Sequence, residues 1–476
     1  MRRLDVRAVA DAAGAALVRG LPGDSMDAVE LCGVSTDTRA LRAGELFLAL
    51  SGPNHDGNRF ARAAIEGGAG ALLLRGTPDD AAQFAALPGR APILVHPDPR
   101  RALGDLAAWH RSLSSVPVIG ITGSCGKTTT KNIVAELLAS RLQVAASPSS
   151  FNNDVGVPLT LLSGDENTEA YVVEIGTNHP GEIAALSRIT RPTAAVITNI
   201  GASHLEGLGS LEGVAKEKGD LAAAVPRDGF LVLNADCRFH PELSSRTSAH
   251  VITFSTSGSP ADLEAHDIVF HGGGTTFRLN GAEVTSPLLG THNVQNLLAG
   301  LAVCTGMGIA LSDVLPAVSK LRGGDHRMER FELGGVELFD DCYNANPDSA
   351  RAAVRFLAGV HGRARRVLVL GDMLELGGFA AEMHHSIGAD AARAGIDRLV
   401  LVGELAKAAA AGALEAGMPA ENVLHVATTA DAVASVPDLI EPGDVVLVKG
   451  SRGMKLERVV DAVRERFGPR AGNEAR

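Results

Sequence analysis

Eight short runs of aliphatic and β-branched residues recur along the chain: APILVHP, VPVIGIT, AYVVEIG, TAAVITNI, GFLVLNA, RRVLVLGD, DRLVLVGE and DVVLVKGS. Each closes in a turn, and most are followed by an Ala-rich helical pattern. Runs this continuously apolar suit strands buried on both faces, and a helix between successive strands is the crossover that parallel pairing requires. The alternation predicts an α/β protein of doubly wound parallel sheets. At 476 residues, roughly three units of ~150 residues each are expected. Their boundaries are read at 1–115, a mixed region, at 116–325, and at 326–476, where a third α/β unit follows the Gly- and charge-rich break LRGGDHRMER. The tail GPRAGNEAR reads as a frayed end.

Ligands of open α/β sheets bind beyond the carboxyl ends of the strands, so the residues after each run carry the functional reading. VPVIGIT leads into GSCGKTTTK, and Ile133, Val134, Leu137, Leu138 and Leu142 then recur at helical spacing. A glycine loop between strand and helix lets backbone N–H groups approach an anion at a helix N-terminus; Lys127 can reach terminal phosphates and the Thr128 hydroxyl can ligate Mg²⁺. The usual spacing G-x-x-x-x-G-K-[ST] would need glycine where Ile121 stands, so this is a shorter phosphate loop. Further on, Glu174 ends the AYVVEIG run, Asn199 and His204 follow TAAVITNI, and Lys216 and Lys218 lie in VAKEKGD. A carboxylate aimed at a phosphate loop can hold Mg²⁺ directly or through water. Taken singly, Glu174 could equally be a solvated strand end and His204 a loop cap. Cys125 sits among loop amides beside Lys127, a setting that favours thiolate; the alternative is a buried, inert thiol.

Composition excludes other classes. Lys and Arg total 44 against 55 Asp and Glu, a formal net charge of -11, and with 2 Tyr and 1 Trp there is little to stack on bases, so no nucleic-acid partner is expected. No secretory h-region and no apolar run of ~20 residues is present, so no membrane insertion is expected. The five cysteines, Cys32, Cys125, Cys237, Cys304 and Cys342, show neither metal-ligand spacing nor a disulfide framework, which fits a reducing cytoplasm.

The ordered motifs GSCGKTTTK, FNNDVGVP, EIGTNHPGEI, NIGASHLEGLGS, GTHNVQNLLAG and DDCYNANPDS resemble those of the Mur ligases, and STDTRALRAGELFLALSGPNHDGNRFA is similar to a UDP-binding domain of that family. The resemblance implies three domains: a central P-loop ATPase-like parallel sheet, flanked by an N-terminal UDP-binding α/β domain and a C-terminal Rossmann-like α/β domain. It implies an ATP-dependent ligase that joins D-alanyl-D-alanine to UDP-N-acetylmuramoyl-tripeptide through an acyl phosphate in cytoplasmic peptidoglycan precursor synthesis, with ATP, two Mg²⁺ sites and a monomeric state. ATP would be held by Gly123, Ser124, Cys125, Gly126, Lys127, Thr128 and Thr129, by Asn293 and Asn296 at the adenine, and by Arg327 and Asp341. Asn293 could instead cap a helix; His292 would pack on the ring. The metal ligands would be Thr128, Glu174, His204 and Lys218, the last as a carbamate and favoured over Lys216. Lys127, Glu174, His204, Lys218 and Asp341 would be catalytic. Thr38, Arg39 and Asn58 would face the uridine diphosphate and Asn152 and Asn153 the sugar-peptide, with Tyr343, Asn344 and Asn346 as further substrate contacts. Lys449, Ser451 and Arg452 follow the last strand, where a solvated loop is an equal alternative. Cys125, Asn58 and Cys342 depart from the family's usual asparagine, histidine and small residue. The family's diaminopimelate or lysine ligases would carry a D-N-P motif where this chain has YNANP.

Overall fold

A computed structural model describes residues 4–20, 29–52, 55–360 and 365–468. The expected frayed tail lies outside these from residue 469 on, as do Pro53 and Asn54 of the N-terminal motif. All eight apolar runs are strands, distributed over three sheets of five, nine and six strands.

The first sheet runs Ala16–Arg19, Ile93–His96, Ala71–Arg75, Leu46–Leu48, Val34–Ser35, parallel except for its first pair. The central sheet begins Val144–Ala146, Ala170–Glu174, Val118–Thr122, Ala194–Ile197 and Phe230–Asn234, continues through His250–Ser255, and is parallel as far as Leu263–His271. Val118, Ile119 and Ile121 are fully buried, each side chain contributing ~1.5–3 kcal/mol relative to an exposed position.

Two departures from all-parallel sheets have a turn-level cause. Gly274–Leu279 and Ala282–Ser286 extend the central sheet as an antiparallel meander, joined by Asn280 and Gly281 at φ 49° and 84°. In the third sheet, Glu329–Leu333 pairs antiparallel with Val336–Asp341 across Gly334 and Gly335, at φ 54° and 87°. Two successive left-handed residues make a turn whose twist matches a β-hairpin. The rest of the third sheet is parallel, in the order Val336–Asp341, Val445–Lys449, Arg366–Gly371, Arg398–Val402, Val423–Val426.

The apolar cores bind the units together. One cluster joins Val6, Leu46 and Leu73 of the first unit to Val118, Leu161 and Ile183 of the central one. Another joins Ala202, Leu205 and Val214 of the central unit to Phe339, Leu370 and Leu401 of the third. Among the described residues no helix is long and apolar enough to cross a membrane.

Candidate active site

The Val118–Thr122 strand lies between Ala170–Glu174 and Ala194–Ile197. Its onward connection runs to Val144–Ala146 on one side while that of Ala194–Ile197 runs to Phe230–Asn234 on the other, which makes the carboxyl ends of this pair the topological switch point of the sheet. The phosphate loop occupies that end. Gly123 and Gly126 have φ of 150° and 79°; a Cβ on Gly123 would stand 1.9 Å from Thr198 Oγ1, and one on Gly126 would stand 2.3 Å from Asn296 Oδ1. Asn199 holds the loop from the neighbouring strand end, its side chain accepting from Cys125 N–H at 2.8 Å and its carbonyl from Ser124 N–H at 3.0 Å. The Lys127–Ala139 helix then starts at Gly126 with no side-chain cap, leaving its first-turn N–H groups for an anion.

The expected ligands converge here. Glu174 is buried; its Oε1 accepts from Asn152 Nδ2 at 2.8 Å, while Oε2 is buried with no partner. Lys127 Nζ donates to the Gly123 carbonyl at 2.8 Å, and burial lowers its pKa. His204 Nδ1 lies 2.7 Å from Glu375 Oε2 without hydrogen-bonding geometry, and that close approach holds the Glu375 carboxyl below its ordinary range. His204 heads a short helix without capping it through its side chain. Lys218 is fully buried, its Nζ has no partner, and burial holds its pKa well below 10.5. Lys216 is exposed.

The third unit closes over this face with its own strand ends. Asp341 and Lys449 are register partners on adjacent parallel strands, and Lys449 Nζ donates to Asp341 Oδ2 at 2.6 Å and to the Asn344 carbonyl at 3.1 Å. Lys449 and Ser451 are buried, so the solvated-loop reading fails for both; Arg452 is exposed. Arg327 lies 4.0 Å over the Tyr343 ring and donates to Thr128 Oγ1 at 3.0 Å, and Tyr343 donates to Ser150 Oγ at 2.7 Å. Asn346 Nδ2 donates to the Ser124 carbonyl at 3.2 Å, and Asp348 accepts from Ala202 N–H at 3.0 Å. The cavity, about 900 Å³ and open to solvent on one side, is lined from both units and reaches from Lys127 and Asn296 to Arg100, His179 and Arg355.

The contacts bear on alternatives that the sequence left open. Cys125 Sγ donates to Asn346 Oδ1 at 3.0 Å; burial first, then the Asp348 carboxylate, raises its pKa, so the thiolate reading fails despite Lys127 nearby. Asn293 does not cap its helix, which begins after Gly290; Asn293 donates to the Leu289 carbonyl and accepts from Asn296. His292 lines the cavity, burial lowering its pKa to about 4. Asn153 lines it too while accepting from Val155 and Gly156 N–H groups. Asn344, Asn346 and Thr129 also border it.

Thr38, Arg39 and Asn58 are not part of this cavity. Arg39 pairs with Asp37 at 2.6 Å, and the Asn58 amide clasps the Arg75 backbone in both directions. Sequence reading missed Ser150, Asp348 and Glu375. Glu375 lies just past the strand of RRVLVLGD, where the rule that selected Glu174 could have found it.

A family model described as "Mur ligase middle domain" matches residues 121–304, and one described as "Mur ligase, glutamate ligase domain" matches 326–452. A Bacillus subtilis protein named UDP-N-acetylmuramoyl-tripeptide--D-alanyl-D-alanine ligase is 37% identical over 94% of this chain and 96% of its own length. A protein of the same name from Escherichia coli is 38% identical over 92% and 94%. A crystal structure of MurF from Acinetobacter baumannii matches with a TM-score of 0.86 at 29% identity, covering 98% of this chain and 99% of its own. A MurF ligase from Thermotoga maritima in complex with ADP matches with a TM-score of 0.78 at 25% identity, covering 91% and 97%.

Proposed function

We propose, from the premise that the chain belongs to the Mur ligase family, that it uses ATP to join D-alanyl-D-alanine to a UDP-N-acetylmuramoyl-tripeptide. The names of its relatives supply the substrates. The observation that carries the reading for this chain is the convergence of the phosphate loop, Glu174 and His204 on one cavity closed by the third unit.

The tripeptide carboxylate attacks the γ-phosphorus of ATP, breaking its bond to the β-phosphate oxygen and releasing ADP. The amine of the dipeptide then attacks the acyl carbon; phosphate leaves with the C–O electron pair, and the nitrogen loses a proton. Carboxylate and triphosphate repel each other, so the first step needs cations between them and in-line placement more than covalent help. Lys127 and the loop amides supply positive charge at the phosphates, and Arg327 brings a guanidinium from the third unit to Thr128. The Asp341–Lys449 pair fixes the facing strand ends. Asn293 and Asn296 are bonded to each other beside the loop, which orients their amides for a base edge.

The donor set fits Mg²⁺. The unpartnered Glu174 oxygen and the Thr128 hydroxyl would hold one ion, and His204 with Lys218 a second. A bound Mg²⁺ would neutralise charge developing on the transferring phosphoryl group. A bare ammonium at Lys218 would repel such an ion, whereas burial favours the neutral amine. That amine can add to CO₂, forming a C–N bond and losing a proton to give an anionic carbamate oxygen donor. Thr38, Arg39 and Asn58 remain the proposed contacts for the uridine diphosphate end, set apart as a long substrate demands. The chain acts as a monomer in this reading.

The test is incubation with ATP, Mg²⁺, the UDP-tripeptide and D-alanyl-D-alanine. ADP and product are expected only when both acceptor and dipeptide are present; ATP turnover indifferent to them would make the chain a nucleotide-driven switch instead. Diaminopimelate- and lysine-containing tripeptides compared side by side identify position three.

A further inference from the structure

The triplet Asp340-Asp341-Cys342 ends a strand, where successive side chains point to opposite faces. Asp341 lines the catalytic cavity; Asp340 and Cys342 do not. Cys342 instead packs with Val336 and Leu338 on the other face of the third sheet. There His326, from the segment entering the third unit, brings Nδ1 to 2.6 Å from Asp340 Oδ2. His326 has φ 56°, and its carbonyl accepts from Tyr343 N–H at 3.1 Å, so the segment is tied to the strand it faces. The donor atoms of His326, Asp340 and Cys342 all lie within 4.8 Å of one another.

A second observation comes from another element. Glu457, at the start of the Glu457–Phe467 helix, acts electrostatically on both His326 and Cys342. Its Oε2 is buried with no hydrogen-bond partner, and Arg452 reaches only Oε1, at 3.5 Å. An orphaned buried carboxylate oxygen costs ~1–3 kcal/mol or more unless a cation or donor meets it.

We propose that His326, Asp340, Cys342 and Glu457 form a site for a zinc-class transition-metal ion at the seam where the third unit begins, separate from the ATP cavity. The donor set decides the class of ion. One thiol, one imidazole and two carboxylates are the N, O and S ligands of Zn²⁺, whereas Mg²⁺ and Ca²⁺ take oxygen. Bond lengths of about 2.0–2.3 Å place tetrahedral zinc ligands roughly 3.3–3.8 Å apart, so His326 Nδ1 and Asp340 Oδ2, 2.6 Å apart, would part slightly, Cys342 would close in from within 4.8 Å, and the Glu457 carboxylate would swing in from outside that group. Burial, then the carboxylates of Asp340, Glu457 and Asp341, pushes the Cys342 thiol up. A metal ion there displaces two protons to solvent, the one in the His326–Asp340 hydrogen bond and that of the thiol as the S–H bond gives way to a metal–thiolate bond. The His326 side chain is 33% exposed and provides the entrance, while that of Asp340 is 2% exposed.

Such an ion would tie together the entering segment, the strand end and the final helix. Arg327 follows His326 directly, so the ion would also fix the residue that spans Tyr343 and Thr128. It would thereby stiffen the junction on which closure depends.

The experiment is titration of the metal-free, full-length protein with Co²⁺ and, separately, Zn²⁺, without Mg²⁺ or nucleotide. One equivalent of Co²⁺ is expected to produce a near-ultraviolet thiolate-to-cobalt charge-transfer band, and Zn²⁺ to abolish it by competition. Cys342→Ser should lose the band. His326→Asn, which keeps a residue tolerant of the left-handed backbone, should weaken Zn²⁺ at least tenfold by calorimetry. Absence of the band in the natural protein, or its survival in Cys342→Ser, overturns the proposal. Should Cys342→Ser fail to fold, an unchanged Zn²⁺ affinity in His326→Asn does so. None of these readouts uses turnover, so they stand or fall apart from the ligase reading.

Discussion

Replacing Lys218 by methionine separates a functional lysine from a structural one. The side chain is fully buried and its Nζ has no partner, so as a neutral amine it costs the fold roughly 1–3 kcal/mol of unmet hydrogen bonding. Methionine has nearly the same shape without the polar atom. In metal-free, CO₂-free buffer, Lys218→Met should therefore melt a few degrees higher, at roughly 2–4 °C per kcal/mol for a unit of about 200 residues. The pH dependence fixes the cause. Burial holds the folded-state pKa well below the ordinary 10.5, so between those two values the unfolded chain carries one proton more. Stability of the natural protein then rises with pH through that window by about 1.4 kcal/mol per unit and is lowest beneath it. The advantage of Lys218→Met should shrink by the same slope as pH approaches 10.5, measured by denaturant unfolding at several pH values. Turnover should meanwhile fall by at least about 10²–10³-fold, the loss expected for one preorganised electrostatic group, with ATP binding nearly intact and no rescue by bicarbonate. A variant as active as the natural protein, or a stability difference that ignores pH, would refute the assignment.

Asp341→Asn should lower turnover far more than nucleotide affinity, because Asp341 acts only when the third unit faces the loop. It should also destabilise the third sheet by up to about 3 kcal/mol, since Lys449 is buried against it; equal losses in binding and turnover would count against this division of labour. Cys125 should resist iodoacetamide at pH 7, and Cys125→Asn should stay active, because burial raises the thiol pKa and Asn346 engages its sulfur. Rapid, ATP-protected inactivation that disappears in Cys125→Asn would reverse that conclusion.

What could be read from the chain depended on whether the signal was local. Strands buried on both faces announce themselves as unbroken apolar runs, and all eight stand where expected. The hairpins at Asn280-Gly281 and Gly334-Gly335 were legible too, since each pair is the turn type that antiparallel strands prefer. They were passed over because Leu263–His271 and Ala282–Ser286 are partly exposed and interrupted by polar residues. Glu174 and Asn199 were found because a strand end next to the phosphate loop is a place that topology defines. Ser150 and Asp348 lie in segments with no strand register to place them, and their partners stand up to 193 residues away. Cys125 shows the limit most clearly. Its sequence neighbours, glycines and a lysine, argue for thiolate, yet burial first and then the Asp348 carboxylate, which arrives from the third unit, hold it as the thiol. Lys218 is the converse case: the resemblance of the KGDL that follows it to the family pattern chose it over Lys216, and the burial that makes the choice physically meaningful comes from a helix face packed against the central sheet. A motif thus names the groups at a site, while the protonation states that make them reactive are set by whichever unit closes over them.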